Sequence, residues 1–188
     1  MQTPIPLCVD LDGTLLRTDT MREAVLLLLK ESPLAFFQLP LWLGRGRANL
    51  IHEIASRVEL DTATLPLNIE FLAFLQQEHQ SGRKLLLVSG TDQKFARAMA
   101  ERVGLFTECC ASDGKTYLSG RGKADMLVKR FGKGGFDYAG NARVDLAVWA
   151  QARRAIVVSN SRALTRKAES LCEVEQIFRL SAMPPGCG

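Results

Sequence analysis

Short apolar runs that stop at polar or glycine-rich residues alternate along this chain with longer segments whose apolar positions recur at three- and four-residue spacing. Buried parallel strands read as continuous apolar runs, and helices packed on them show the wider period, so the alternation implies strand–helix–strand units around a parallel sheet. Strands are expected over residues 6–9, 85–88, 108–111, 136–139 and 155–158. Helices are expected over about 93–103, 124–131, 144–152 and 161–171. The fold class is therefore α/β, a Rossmann-like three-layer sandwich with a parallel sheet.

One interval breaks the rhythm. Between the first and second strands, from Leu15 to about Gly82, the pattern stays helical, interrupted at Pro33, Pro40, Gly44, Gly46 and Pro66. An insertion there would stand at the C-terminal edge of the sheet, where such sheets bind ligands, and is a candidate lid. The expected organisation is a core of residues 1–16 and 80–180, a helical cap at 17–79, and a loose tail at 181–188.

The insertion also raises a membrane question, because LLLLL, PLAFF and LPLWL follow one another between Met21 and Leu43. Lys30 and Glu31 interrupt the run, and the uncharged stretch 32–44 is far short of the roughly 20 residues of a spanning helix. A transmembrane span is excluded. An apolar cap packed on its own domain and a surface that meets lipid or a membrane partner both remain open.

Composition narrows the picture. Net charge is +4, from 24 basic and 20 acidic residues spread along the chain, a balance that suits a small anionic substrate. Aromatic RNA-reading motifs and zinc-finger spacings are missing, so nucleic acid is not an expected partner. The cysteines, Cys8, Cys109, Cys110, Cys172 and Cys187, form no CxxC pair. With an N-terminus unlike a signal peptide, they point to a reduced, cytoplasmic protein.

The chemistry concentrates at Leu7-Cys8-Val9-Asp10-Leu11-Asp12-Gly13-Thr14-Leu15. Residues two apart on an extended strand point the same way, so Asp10 and Asp12 are expected together at the sheet's C-terminal edge. Like charges so placed repel unless a cation lies between them or one is protonated, and both conditions serve catalysis. A plain Asp-Gly turn would need only one of the two acids.

The segment VDLDGTLL resembles the first signature of the haloacid dehalogenase (HAD) superfamily. That resemblance implies Asp10 as a nucleophile toward phosphorus and Asp12 as its acid/base partner, with Thr14 and Gly90 near the substrate. Ser89, in LLLVSGTD, matches the second signature, a phosphate-binding Ser or Thr closing a strand; Thr91 and Asp92 can also simply cap the next helix. Lys123, in GRGKAD, matches the third, a lysine that offsets the charge of nucleophile and phosphate; Arg121 is a weaker candidate. The fourth signature is an acidic pair, and here FDYAGNARVD supplies Asn141 and Asp145. Asn141 is a departure, because an amide oxygen can ligate a hard cation but brings no charge.

The implied cofactor is Mg²⁺, held by Asp10, Asp12 through its backbone carbonyl, Asn141 and Asp145. The implied activity is phosphomonoester hydrolysis through an aspartyl-phosphate, on a small or lipid-linked substrate. Dehalogenation is disfavoured by Asp12 and Asp145. At a finer level TDT, LPLWLGRGRA, ASDG and FDYAGNARVDLAVW are similar to HAD-type domains found ahead of UbiA-type polyprenyl transferases, which implies a membrane-surface or prenyltransferase partner. The alternative is a catalytically weakened domain that binds a phosphorylated ligand or such a partner. Arg45, Arg47, His52 and Arg57 could contact substrate, although scattered cap charges, like His79, are more often solvated. Oligomeric state is not readable.

Overall fold

The computed structural model of the chain describes residues 5–180; the expected tail at 181–188, with Cys187, lies outside them. Six parallel strands form one sheet in the order β3-β2-β1-β4-β5-β6. They are β1 (Leu7–Val9), β2 (Leu85–Asp92), β3 (Glu108–Ser112), β4 (Asp137–Gly140), β5 (Arg154–Val158) and β6 (Glu173–Phe178). The helices are α1 (Thr20–Glu31), α2 (Pro33–Phe36), α3 (Leu39–Gly44), α4 (Arg47–Ala55), α5 (Ile69–Gln80), α6 (Gln93–Val103), α7 (Arg121–Phe131), α8 (Leu146–Trp149) and α9 (Arg162–Glu169). No helix among the described residues is long and apolar enough to cross a membrane.

The strands are apolar on both sides because both sides are covered. Leu7, Val9, Leu85, Leu87, Ile156 and Val158 face Phe71 and Leu75 of α5 and Ala96 and Met99 of α6. Their neighbours Cys8, Leu86, Val88, Tyr138, Ala155 and Val157 face α7, α8 and α9. The two-residue alternation of strand side chains thus divides each run between two cores. Strand order reverses beside β1, which pairs with β2 on one side and β4 on the other. The crevice at such a reversal is where open parallel sheets take ligands, and Asp10 follows β1 directly into it.

Residues 17–66 leave and return through a narrow neck. Leu16 and Leu67 form an antiparallel bridge, Arg17 N–H donates to Pro66 O (2.9 Å), and Asn68 N–H donates to Leu15 O (2.9 Å). Beyond the neck, Ala24, Leu28, Trp42, Ile54, Ala55 and Val58 gather around Phe95 of α6, which roots the helical insertion in the core. The expected helix breakers act as starts: Pro33 and Pro40 sit in the first turns of α2 and α3, where a missing N–H costs little. Although α5 was expected within the insertion, it follows the neck and packs on the sheet.

Three further expectations change. The strand β6 has no counterpart in the sequence reading, because Glu173, Glu175, Gln176 and Ile177 are exposed on an edge and only Phe178 is buried. The helix expected over 144–152 is instead a 3₁₀ turn, Arg143–Asp145, followed by the short α8, since Asp145 folds back to cap the preceding turn. The strand β2 runs on from Val88 to Asp92, with four steps set against two on β3. Ser112 Oγ fixes this bulge by donating to Gly90 O (2.7 Å) and accepting from Leu118 N (3.1 Å).

At the opposite end of the sheet, Asp137 is fully buried and accepts from Arg153 Nε (2.9 Å) and from the guanidinium of Arg83. Arg83 also donates to Ile5 O (3.1 Å) and pairs with Glu78, so this carboxylate joins β4 to the chain before β1 and to the end of α5. Removing one partner of a buried pair strands the other charge. Asp137→Ala should therefore lower unfolding stability by about 3 kcal/mol, measured by urea titration. A change under about 1 kcal/mol would show that water already solvates Arg83.

Candidate active site

The floor of the crevice is a chain of buried polar groups. Lys123, 3% exposed, donates from Nζ to Asp10 Oδ1 (2.6 Å) and to Tyr138 Oη (2.8 Å). Tyr138 in turn donates to Asp145 Oδ1 (2.9 Å), and Asp145 Oδ2 accepts from the backbone N–H groups of Asn141 and Ala142 (both 3.0 Å). Thr14 donates to the other oxygen of Asp10 (3.3 Å). Every buried oxygen and nitrogen in this set has a partner, as low-dielectric burial requires.

Two glycines permit that packing. A Cβ on Gly13, whose φ is +74°, would fall 2.0 Å from Asn141 Nδ2, so the turn after Asp12 can close only on a residue without a side chain. A Cβ on Gly140 would lie 2.7 Å from the Asp145 carboxyl carbon and 2.8 Å from the Tyr138 ring. Gly140 thereby admits the Tyr138–Asp145 contact.

Asp12 has a different environment. Its Oδ1 accepts from Thr20 N (2.8 Å) and its Oδ2 from Thr20 Oγ1 (3.2 Å), while Thr20 Oγ1 also lies 2.7 Å from Thr91 Oγ1. Burial pushes the Asp12 carboxyl up to about 7 against the Thr20 hydrogen bond, with the Asp10 charge adding to the rise. Burial also raises Asp10, but the Lys123 ammonium holds it to about 6. Tyr138 is driven well above its ordinary range by burial and the Asp145 and Asp10 charges, so it stays a neutral donor. Asp10 thus faces an ammonium and Asp12 only neutral donors, and adjacent carboxyls in such different environments can act as a nucleophile and an acid.

A cavity of about 640 Å³ opens over these groups, lined by Asp10, Asp12, Gly90, Lys123 and Asn141 among the residues singled out from the sequence. The two carboxylates expected on one side of the strand end do share it. Thr14, Ser89 and Asp145 are buried behind the lining; Ser89 Oγ accepts from Thr91 N (3.2 Å). Of the insertion's cations, Arg22 and Arg47 line the cavity, and Arg47 lies 5.8 Å from the centre of the Tyr117 ring, another lining residue. His52 meets Asp92 (2.9 Å), which also caps α6 by accepting from Lys94 N (2.8 Å). Arg57 stacks on Trp42 at 4.4 Å, while Arg121 and His79 are exposed.

Sequence reasoning missed Tyr138 and Thr20, and read Thr91 only as a helix cap. Tyr138 carried a signal, since a tyrosine inside a buried strand needs a hydrogen-bond partner. Thr20 and Thr91 carried none, because their pairing with Asp12 joins positions far apart in sequence. The four described cysteines are free, and burial raises the thiols of Cys8, Cys109 and Cys172, which leaves them poor nucleophiles.

No family model matches the chain. It is 31% identical over 157 residues to the uncharacterized protein y4nM of Sinorhizobium fredii; the match takes in 83% of this chain but spans only about 30% of that relative's length. Among solved structures, a protein of unknown function from Bordetella pertussis Tohama I superposes with a TM-score of 0.72 at 17% identity, over 94% of this chain and 99% of the other. A HAD family hydrolase from Salmonella enterica serovar Typhi gives 0.63 at 13% identity, over 93% and 68%. A substrate-bound phosphoserine phosphatase gives 0.63 at 14%, over 95% and 94%. The six-stranded parallel sheet and its flanking helices thus have the Rossmann-like fold of the HAD hydrolases and phosphatases.

Proposed function

We propose that the protein is a phosphomonoester hydrolase that works through an aspartyl-phosphate on Asp10. The observation that carries this reading is the buried Lys123–Asp10 contact beside an Asp12 carboxyl poised near neutral pH, all at one cavity. The Lys123 ammonium favours the ionised form of Asp10, while burial without a facing cation favours a proton on Asp12. An Asp10 oxygen bonds to phosphorus as the ester P–O bond breaks, and the leaving alkoxide takes the Asp12 proton. Water then attacks phosphorus, returns a proton to Asp12 and frees phosphate and Asp10. Lys123 spreads the charge of the phosphoryl oxygens, and Gly90 forms the neighbouring wall with Ser89 buried behind it. Helices α1 to α4 serve as the lid, and the protein works in the cytoplasm on a small or lipid-linked substrate.

The donor set also fits Mg²⁺. Burial raises the Asp10 and Asp12 carboxyls, and the neighbouring charges of Asp145 and Asp10 add to the rise, so a cation would be favoured there. Among the described residues no three acidic, histidine or cysteine side chains group around one metal position, so the set needs a carbonyl and an amide oxygen beside two carboxylates. Asp10, the Asp12 carbonyl, Asn141 and Asp145 would hold the ion through hard oxygen donors. Both Asp145 oxygens are already engaged, which favours contact through water. Bound there, Mg²⁺ supplies positive charge opposite the phosphoryl oxygens. The neutral Asn141 weakens that affinity, and it also supports a second reading, a domain that binds a phosphorylated ligand or a membrane prenyltransferase without turnover.

Phosphate release from an aryl phosphate should require Mg²⁺, stop on EDTA addition, and fall at least 100-fold in Asp10→Asn. Asn141→Asp should lower the Mg²⁺ concentration for half-maximal rate; activity appearing only in that variant would favour the binding reading.

The raised carboxyls make a separate prediction for the metal-free protein. A carboxyl whose folded pKa lies above its unfolded value favours folding while protonated, at low pH, and that contribution is lost as pH rises from about 4 through 7. Asp12→Asn removes the penalty, so its Tm advantage over the parent should widen from pH 5 to pH 8 and shrink when Mg²⁺ is added. A constant difference across that range would show that Asp12 is not desolvated.

A further inference from the structure

We infer that the substrate's leaving group is an apolar chain, so that the protein acts on monophosphates of long aliphatic alcohols. This rests on the phosphatase reading and specifies what the same cavity selects. The wall that α1 and α4 turn toward the Asp10–Lys123 floor is built from Met21, Val25, Leu26, Leu50, Ile51 and Ile54. None of these has a hydrogen-bonding side chain. A polar leaving group would give up water there without recovering partners, whereas an alkyl chain would be drawn out of water along it. The polar side chains that the two helices add are Arg22 and Arg47, both exposed and cationic. Among the described residues, the one carboxylate on this side of the cavity, Asp19, stands exposed at the start of α1, where it caps the helix by accepting from Arg22 N (2.9 Å), so the wall beyond it offers no acceptor to an ammonium or hydroxyl group.

The apolar lining also reaches the surface. Leu26 borders the cavity yet is 53% exposed, and Leu29, one turn further along α1, is 46% exposed. A chain too long for the cavity therefore has an apolar exit over α1, and the enzyme can accept it without enclosing it. The same chemistry is offered by a free amphiphile and by a phosphorylated lipid at a membrane.

The test is a series of methyl, butyl, hexyl and octyl phosphates, dissolved below micelle formation, beside phosphoserine and glycerol phosphate. The expected kcat/KM rises about fourfold per methylene over the first carbons, above both polar esters. Leu26→Gln and Met21→Gln, at positions that are not fully buried, should flatten the series. Polar esters cleaved as well as octyl phosphate, with no rise along the series, would overturn the inference and leave the phosphatase standing. If no ester is cleaved, the phosphatase reading fails instead. Calorimetric binding of the matching alkyl phosphonates then decides the inference: affinity that grows with chain length upholds it, and flat affinity overturns it. A dodecyl phosphate presented dissolved and in phosphatidylcholine vesicles identifies the source, the faster form being the one the protein meets; cleavage of small esters but of neither dodecyl form would also overturn the inference.

Discussion

Lys123 carries a charge into a place nearly closed to water, and the architecture around the crevice is arranged to keep it there. An ammonium in that position is costly unless its donors are taken, and Asp10 and Tyr138 take them at 2.6 and 2.8 Å. Each partner comes from a different strand, Asp10 from the end of β1 and Tyr138 from β4, while Lys123 itself stands in the first turn of α7. The contact therefore exists only when those elements are in register. A cation at a helix start also opposes the helix dipole, so its energy depends on the carboxylate it faces.

The polar chain continues outward from that point in a fixed order. Lys123 fixes Tyr138 as a donor to Asp145, and Asp145 closes the loop after β4 through the N–H groups of Asn141 and Ala142. The side chain of Asn141 then lies on Gly13, in the turn that carries Asp12. Asp10, Asp12 and the loop opposite them are thus mechanically one unit. The bulge in β2 adds Gly90 and Thr91 to the same cavity, and Thr91 reaches Asp12 through Thr20. Since Thr20 opens α1, the first helix of the insertion is bound to the chemistry as well as to the sheet.

The insertion is joined to the sheet at three kinds of contact. The Leu16–Leu67 neck sets its base, the Phe95 cluster anchors its apolar interior, and His52 with Asp92 and Lys94 with the carbonyls of Ala55 and Val58 tie α4 and the chain beyond it to α6. These leave the apolar side of α1 and α4 facing the crevice. The wall from α1 and α4 is thus largely apolar, with its charged side chains, Arg22 and Arg47, exposed, whereas the floor holds buried charges.

The sequence alone determined the parallel sheet, because central strands buried on both faces must read as apolar runs, and it marked Asp10 and Asp12 at the end of one such run; Ser89, Lys123, Asn141 and Asp145 were marked by resemblance of their segments. It could not show β6, whose exposed edge makes a polar sequence compatible with a strand, nor that α5 belongs on the sheet. Tertiary structure alone decided which of the marked residues reach the cavity. Ser89 and Asp145 are turned behind the lining, Thr20 and Thr91 are brought to Asp12, and Tyr138 is placed between the lysine and the second acid. The physical reason is range: strand and helix periods are written in neighbouring residues, whereas burial, proton affinity and the shape of a cavity arise from groups that meet only after the chain has folded.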